Sequence, residues 1–164
     1  MKIQPGTASE IDAWMELVRR VKDSFPGLET EEALMEHRTT VLDFMERNDA
    51  LCAKIGHQIV GVLLFSREDP MLCFLAVDPK CRRQHIAEGM VTQMLSLVDP
   101  EKEVVVTTYR EGDPEGVAAR AFYRSVGFSE GALKEEFESP VQEFVFRRSS
   151  VPKDGTSCSE KTPL

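Results

Sequence analysis

The stretch FLAVDPKCRRQHIAEGMVTQML, Phe74 to Leu95, decides how this chain is read. An apolar run ends at Asp78-Pro79, passes through a basic, nearly glycine-free turn, and enters another apolar-periodic run at once. MLCFLAV, Met71 to Val77, is too short for an ordinary helix and reads as a strand. From about Arg83 to Val98 the spacing predicts a helix. Ile86, Met90, Met94 and Leu97 or Val98 form its buried face, with Glu88, Gln93 and Ser96 outside. The first-turn N–H groups of such a helix lack intrahelical acceptors and sit at the positive end of its macrodipole. Arg82 and Arg83 add formal charge there. The corner is either a seat for a pyrophosphate or a plain strand–helix link with solvated arginines. Composition alone favours the plain link.

Working outward, a first helix fits Ser9 to Lys22. Thr7-Ala8-Ser9-Glu10 resembles a capping box, and Ile11, Trp14, Val18 and Val21 recur at helical spacing. A second fits Glu31 to Arg47 behind Thr30 as N-cap, with Leu34, Val41, Leu42 and Met45 as its stripe. ALCAKI and QIVGVLLFS flank Gly56-His57 as hairpin strands. EVVVTTY is a β-branched strand. Asp113-Pro114 start a last helix, which Gly127 stops as a left-handed cap followed by Phe128. VQEFVFRR reads as the final strand. With a short N-terminal strand, the order predicts a mixed α/β fold, its central sheet mostly antiparallel with helices on both faces. The segment from Leu72 to Tyr109 should be a right-handed parallel crossover. Residues 1–148 read as one domain, and residues 149–164, small, polar and aperiodic, as a disordered tail.

Composition narrows the function. The chain has 164 residues, 41% of them hydrophobic and 29% charged, as in an ordinary globular domain. No apolar run reaches the roughly 18 residues of a membrane span, and MKIQPGTASE lacks a signal-peptide core, so no membrane partner and no export are expected. Cys52, Cys73, Cys81 and Cys158 show no C-x-x-C pair or metal-ligand spacing. Reduced thiols in a cytoplasmic compartment, and no metal, are the simplest reading; Cys52 and Cys73 in strand-like runs serve as small hydrophobes. The net charge is −8, and basic residues outnumber acidic ones from Arg147 onward, so the body is more acidic still. Such a surface disfavours nucleic acid and mildly favours a cationic acceptor, although solubility alone explains it equally well.

The segment VDPKCRRQHIA resembles the acyl-CoA-binding motif of the GNAT superfamily of N-acetyltransferases, V-x-P-x-x-R-[GR]-x-G-[IV]-[GA]. Val77, Pro79, Arg82, Arg83, Ile86 and Ala87 match in order. ARAFYRSVGF resembles that family's downstream motif, A-x-x-[FL]-Y-x-x-x-GF, through Ala119, Phe122, Tyr123, Gly127 and Phe128. The resemblance implies an acyl-CoA N-acyltransferase-like fold with a splayed parallel strand pair, and acetyl-CoA as co-substrate. It implies that backbone amides of Arg82, Arg83, Gln84, His85, Ile86 and Ala87 cradle the pyrophosphate. Leu75, Ala76 and Val77 would pair their backbone with the pantetheine arm, as a peptide adds to a sheet edge. Two positions depart from the pattern. His85 replaces the family's first glycine, which the site tolerates if the backbone there stays helical. Gly116 stands where the family often has asparagine.

By the same resemblance Tyr123 is the proton donor to the departing thiolate, against the alternative that it only packs. Transfer should be direct, since no cysteine or serine has an evident base beside it. An ammonium acceptor must first lose a proton, and the sequence singles out no base. Glu36, His37 and Asp43 are candidates because the family's second helix lines the acceptor cleft; His37, on the apolar stripe, more commonly means a packed side chain. Arg38 could steer a carboxylate or lie on a solvated face, and Glu111 and Asp113 could form an acidic rim. The leading expectation is acetyl transfer to the primary amine of a small molecule. A protein N-terminus or lysine as acceptor, and a non-catalytic acyl-CoA-binding module, remain the alternatives. A toxin acting on aminoacyl-tRNA fits the size but not the acidic body. Oligomeric state, a homodimer included, is left open.

Overall fold

In a computed structural model of the protein, residues 1–136 and 138–148 are described; the expected tail lies outside them. The chain divides into two compact units, one from Met1 to Val98 and the other from Asp99 onward.

The first unit begins with β1 (Lys2–Pro5), α1 (Ile11–Val21) and α2 (Glu31–Glu46). It continues through β2 (Ala50–Ile55), β3 (Gln58–Ser66) and β4 (Met71–Val77) to α3 (Ile86–Leu97). Its strands pair antiparallel in the order β1-β2-β3-β4. Alternate strand residues point to opposite faces. Cys52, Val62, Leu64 and Ala76 join Trp14, Leu17, Val18, Leu34 and Val41 of α1 and α2 in one core. Gly61, on the other parity, faces α3, where an added Cβ would lie 2.7 Å from Met90 Cε and 3.0 Å from Ile86 Cγ2. Residues 59–65 of β3 are therefore all buried, which explains an unbroken apolar run where a half-exposed strand would alternate.

The second unit contains β5 (Val104–Tyr109), α4 (Val117–Ser125), β6 (Ser129–Glu136) and β7 (Ser139–Phe146). Its strands are antiparallel in the order β5-β7-β6. The fold class read from the sequence holds: mixed α/β, mostly antiparallel, with helices on both faces of the first unit's sheet.

The elements differ from expectation in four places. The capping box does not form: Thr7 makes no cap bond, a 3-10 turn spans Ala8–Glu10, and the Glu10 carboxylate is drawn to the Lys54 ammonium. Asp113 does cap, accepting from the Glu115 amide at 2.9 Å, but what it caps is a 3-10 turn (Pro114–Gly116) ahead of α4. β6 has no counterpart among the expected strands. Seven of its eight residues are polar, small or charged and it is largely exposed, so no hydrophobic alternation marks it. Cys73, expected inside, is exposed, whereas Cys52 is fully buried.

Candidate functional site

The turn between β4 and α3 is anchored at Asp78 and Ile86, with mostly exposed side chains between. β4 pairs with β3 through Gly61↔Val77, Val62↔Ala76 and Leu63↔Leu75. The register then slips, with Leu64 opposite Phe74 and Phe65 opposite Leu72, so Cys73 is an extra residue in β4. Bulges of this kind bend a strand and re-aim its groups, and they concentrate near functional sites. After Val77 a 3-10 turn spans Pro79–Cys81 behind the Asp78 side chain, which accepts from the Lys80 amide. Arg82, Arg83, Gln84 and His85 follow with exposed side chains, and Ile86 is buried at the start of α3.

The backbone between these anchors corrects the sequence reading. Arg83 and His85 both occupy the left-handed region, at φ +64 and +61. His85 is the N-cap of α3 with no side-chain cap bond, so the helix starts at Ile86 and not at Arg83. Non-glycine residues pay of order 1–2 kcal/mol for this conformation because Cβ crowds the following carbonyl. His85 therefore sits in the conformation that the family's glycine would take freely. Its ring turns outward, with Nδ1 2.9 Å from Glu88 Oε1.

A left-handed residue followed by a helical one turns successive amide groups into a common concavity, which binds anions. The first backbone bond of α3 runs from the Gly89 amide to the His85 carbonyl at 3.0 Å. The amides of Ile86, Ala87 and Glu88 are left without intrahelical acceptors. No side chain among the described residues takes them up. Free amides, a macrodipole of the right sign and adjoining arginines are the groups that suit a diphosphate.

The other singled-out residues are placed as follows. Leu75, Ala76 and Val77 end β4 as expected, with Ala76 in the core shared with α1 and α2. Tyr123 lies in the second unit on α4 and is 8% exposed. Its ring meets those of Phe122, Phe128 and Phe144. Its hydroxyl has no hydrogen-bond partner among the described residues, and burial raises its pKa well above the usual phenol value. Gly116 is buried against Tyr109, where any Cβ would press into that ring, so an asparagine is sterically excluded. His37 is half-buried with its ring 4.7 Å from that of Phe74, and desolvation lowers its pKa. Its Nε2 is buried with no partner among the described residues, unlike the satisfied histidine expected. Glu36 and Asp43 are exposed on α2, and Arg38 lies 3.8 Å from Asp12. Glu111 borders an open 560 Å³ pocket with Arg110, Glu130, Gly131, Leu133 and Gln142. Asp113 is occupied as a cap.

Two residues that sequence reasoning did not single out are structurally central. Asp78 is 4% exposed and pairs with Arg20 of α1. Arg120, equally buried, donates to the Tyr109 carbonyl at 2.9 Å and to Gln142 Oε1 at 2.7 Å, and pairs with Glu130. A lone Asp after a strand and an Arg inside a helix carry no local signal of burial; apart from the Lys80 amide that Asp78 caps, their side-chain partners lie 10 to 58 residues away.

The model of the acetyltransferase (GNAT) domain matches residues 46–130, a span that holds both motifs. A GNAT-family acetyltransferase from Bacillus cereus superposes with a TM-score of 0.70 at 16% identity, over 91% of this chain and 98% of that one. The PaiA N-acetyltransferase of Thermoplasma acidophilum, solved in complex with coenzyme A, gives 0.66 at 15% identity, over 87% and 96%. Ard1 from Thermoplasma volcanium gives 0.68 at 18% identity, over 88% and 95%. At these identities the likeness is one of fold, and no curated protein matches. With the domain model matching residues 46–130, half of the chain, this protein belongs to the GNAT acetyltransferase family.

Proposed function

We propose that this protein transfers an acetyl group from acetyl-CoA directly to the primary amine of a small molecule. The observation that carries the reading is the turn at His85-Ile86, whose converging amides and adjoining arginines suit a diphosphate. Leu75 to Val77 would hold the pantetheine arm by main-chain pairing along β4. The thioester supplies the activated acyl group. Tyr123, kept a phenol by its buried setting, would give its proton to the departing sulfur. Burial pushes the Cys52 thiol up to about 11, so that residue is not a thiolate nucleophile at neutral pH. The acidic surface, −8 overall, supports an acceptor that arrives as a cation.

A panel of primary amines, scored by release of free CoA thiol, tests the reading. Turnover with at least one small amine is expected. Acetylation of peptide N-termini alone would replace the acceptor class, and CoA binding without turnover on any amine or peptide would leave a binding module. Tyr123→Phe should lower kcat about 10²-fold with CoA affinity within twofold; a matched loss of both would make Tyr123 structural.

A further inference from the structure

Among the described residues, the hydrogen bonds that fix the start of the diphosphate turn all pass through one residue. The Asp78 amide donates to the Val60 carbonyl of β3 at 2.8 Å. The Asp78 carbonyl accepts from the Cys81 amide at 2.8 Å. Its Oδ1 accepts from the Lys80 amide at 2.9 Å, and its Oδ2 pairs with Arg20 Nη2 of α1 at 3.1 Å. The next fixed point downstream is the buried side chain of Ile86. Between the two, four consecutive side chains are exposed, and only that of His85 is tied back, to Glu88.

A neutral cap would suffice to end the strand and start the 3-10 turn; an asparagine could accept from Lys80 just as well. The carboxylate does more, because a buried charge needs a charged partner, and Arg20 brings α1 to the turn. The residue thus ties three bodies together: the sheet through its backbone amide, and, through its side chain, the first helix at Oδ2 and a peptide group of the turn at Oδ1. We propose that Asp78, clamped by Arg20, is a positioning residue for the diphosphate. It sets the level at which the amides from Arg82 to Ala87 are presented, without itself touching the ligand. This rests on the reading of that turn as the diphosphate seat.

Two acyl donors separate positioning from simple structural support: acetyl-CoA, which carries the diphosphate, and acetyl-pantetheine, which lacks it. Binding of each to the whole protein is measured by calorimetry. Asp78→Asn keeps the Lys80 acceptor and removes the charge. It should weaken acetyl-CoA about tenfold and leave acetyl-pantetheine within twofold. Arg20→Gln is the milder variant, since Gln can still donate to Asp78, and it should show the same split at a smaller size. The double variant should lose no more than Asp78→Asn alone, because both act through one contact. Equal losses for both donors, or unchanged acetyl-CoA affinity in both single variants, overturns the assignment while the proposed function stands. If the unmodified protein binds acetyl-pantetheine as tightly as acetyl-CoA, the diphosphate seat fails, and this inference with it.

Discussion

At the scale of single residues, His85 occupies a backbone conformation that suits glycine better. It holds the left-handed conformation at φ +61, and its ring points away to Glu88. His85→Gly relieves the Cβ crowding but makes the unfolded chain looser, so unfolding free energy should rise by only about 0.5–1 kcal/mol in urea titration. A fall would mean the imidazole–Glu88 pair outweighs the strain. His37 makes a second case. An unfolded imidazole takes up its proton near 6.5, while desolvation against Phe74 holds the folded ring below that value. As pH falls through 6.5 the unfolded chain binds more protons than the folded one, and stability drops. Melting temperature followed from pH 7.5 to 5.5 should slope downward, and less steeply in His37→Phe; parallel slopes would clear His37 of the effect. The residues of the two motifs were legible because they match the patterns of a known family in order along the chain. The conformation of Arg83 and His85 was not, since φ > 0 is uncommon for any residue but glycine and residue type alone does not mark it. Nor was the role of Asp78, whose partner Arg20 is 58 positions away.

Among the elements, those with strong local signals came out where the sequence put them. Thr30 caps α2 by accepting from the Ala33 amide at 3.0 Å. α4 ends in a Schellman motif: Phe128 donates to the Tyr123 carbonyl at 2.9 Å and Gly127 to the Arg124 carbonyl at 3.1 Å. Gly127 is at φ +103, and a Cβ there would lie 2.9 Å from Phe146 Cε2. Gly127→Ala should therefore cost about 2 kcal/mol of stability, more than the loss of freedom alone, as read from the urea midpoint. A cost under about 0.5 kcal/mol would show that the ring moves aside freely. The elements that were misread are those whose signals compete with partners elsewhere. Glu10 has the right spacing for a capping box, yet Lys54 claims it. β6 is defined by its ladder with β7 and by a register slip between Glu130 and Leu133, not by its own polar composition. Local pattern specifies an element when its bonds are local, and fails when they are borrowed.

For the molecule as a whole, cofactor binding should appear as added stability. A ligand that binds only the folded chain contributes RT ln(1 + [L]/Kd), about 2.7 kcal/mol at a hundredfold excess over Kd. Acetyl-CoA in such excess should raise the melting temperature by several degrees, with less gain as salt screens the arginines from the phosphates. No change at saturating cofactor would remove acetyl-CoA from the account. No helix among the described residues is long and apolar enough to cross a membrane. The turn after β4 carries one more implication. Peptide groups have no letter in the genetic alphabet, so a surface built from them can drift in spelling while its chemistry stays fixed. Variants of this corner that keep the arginines at 82 and 83 and the left-handed backbone at 83 and 85 should tolerate wide changes at position 84 and still dock the same nucleotide.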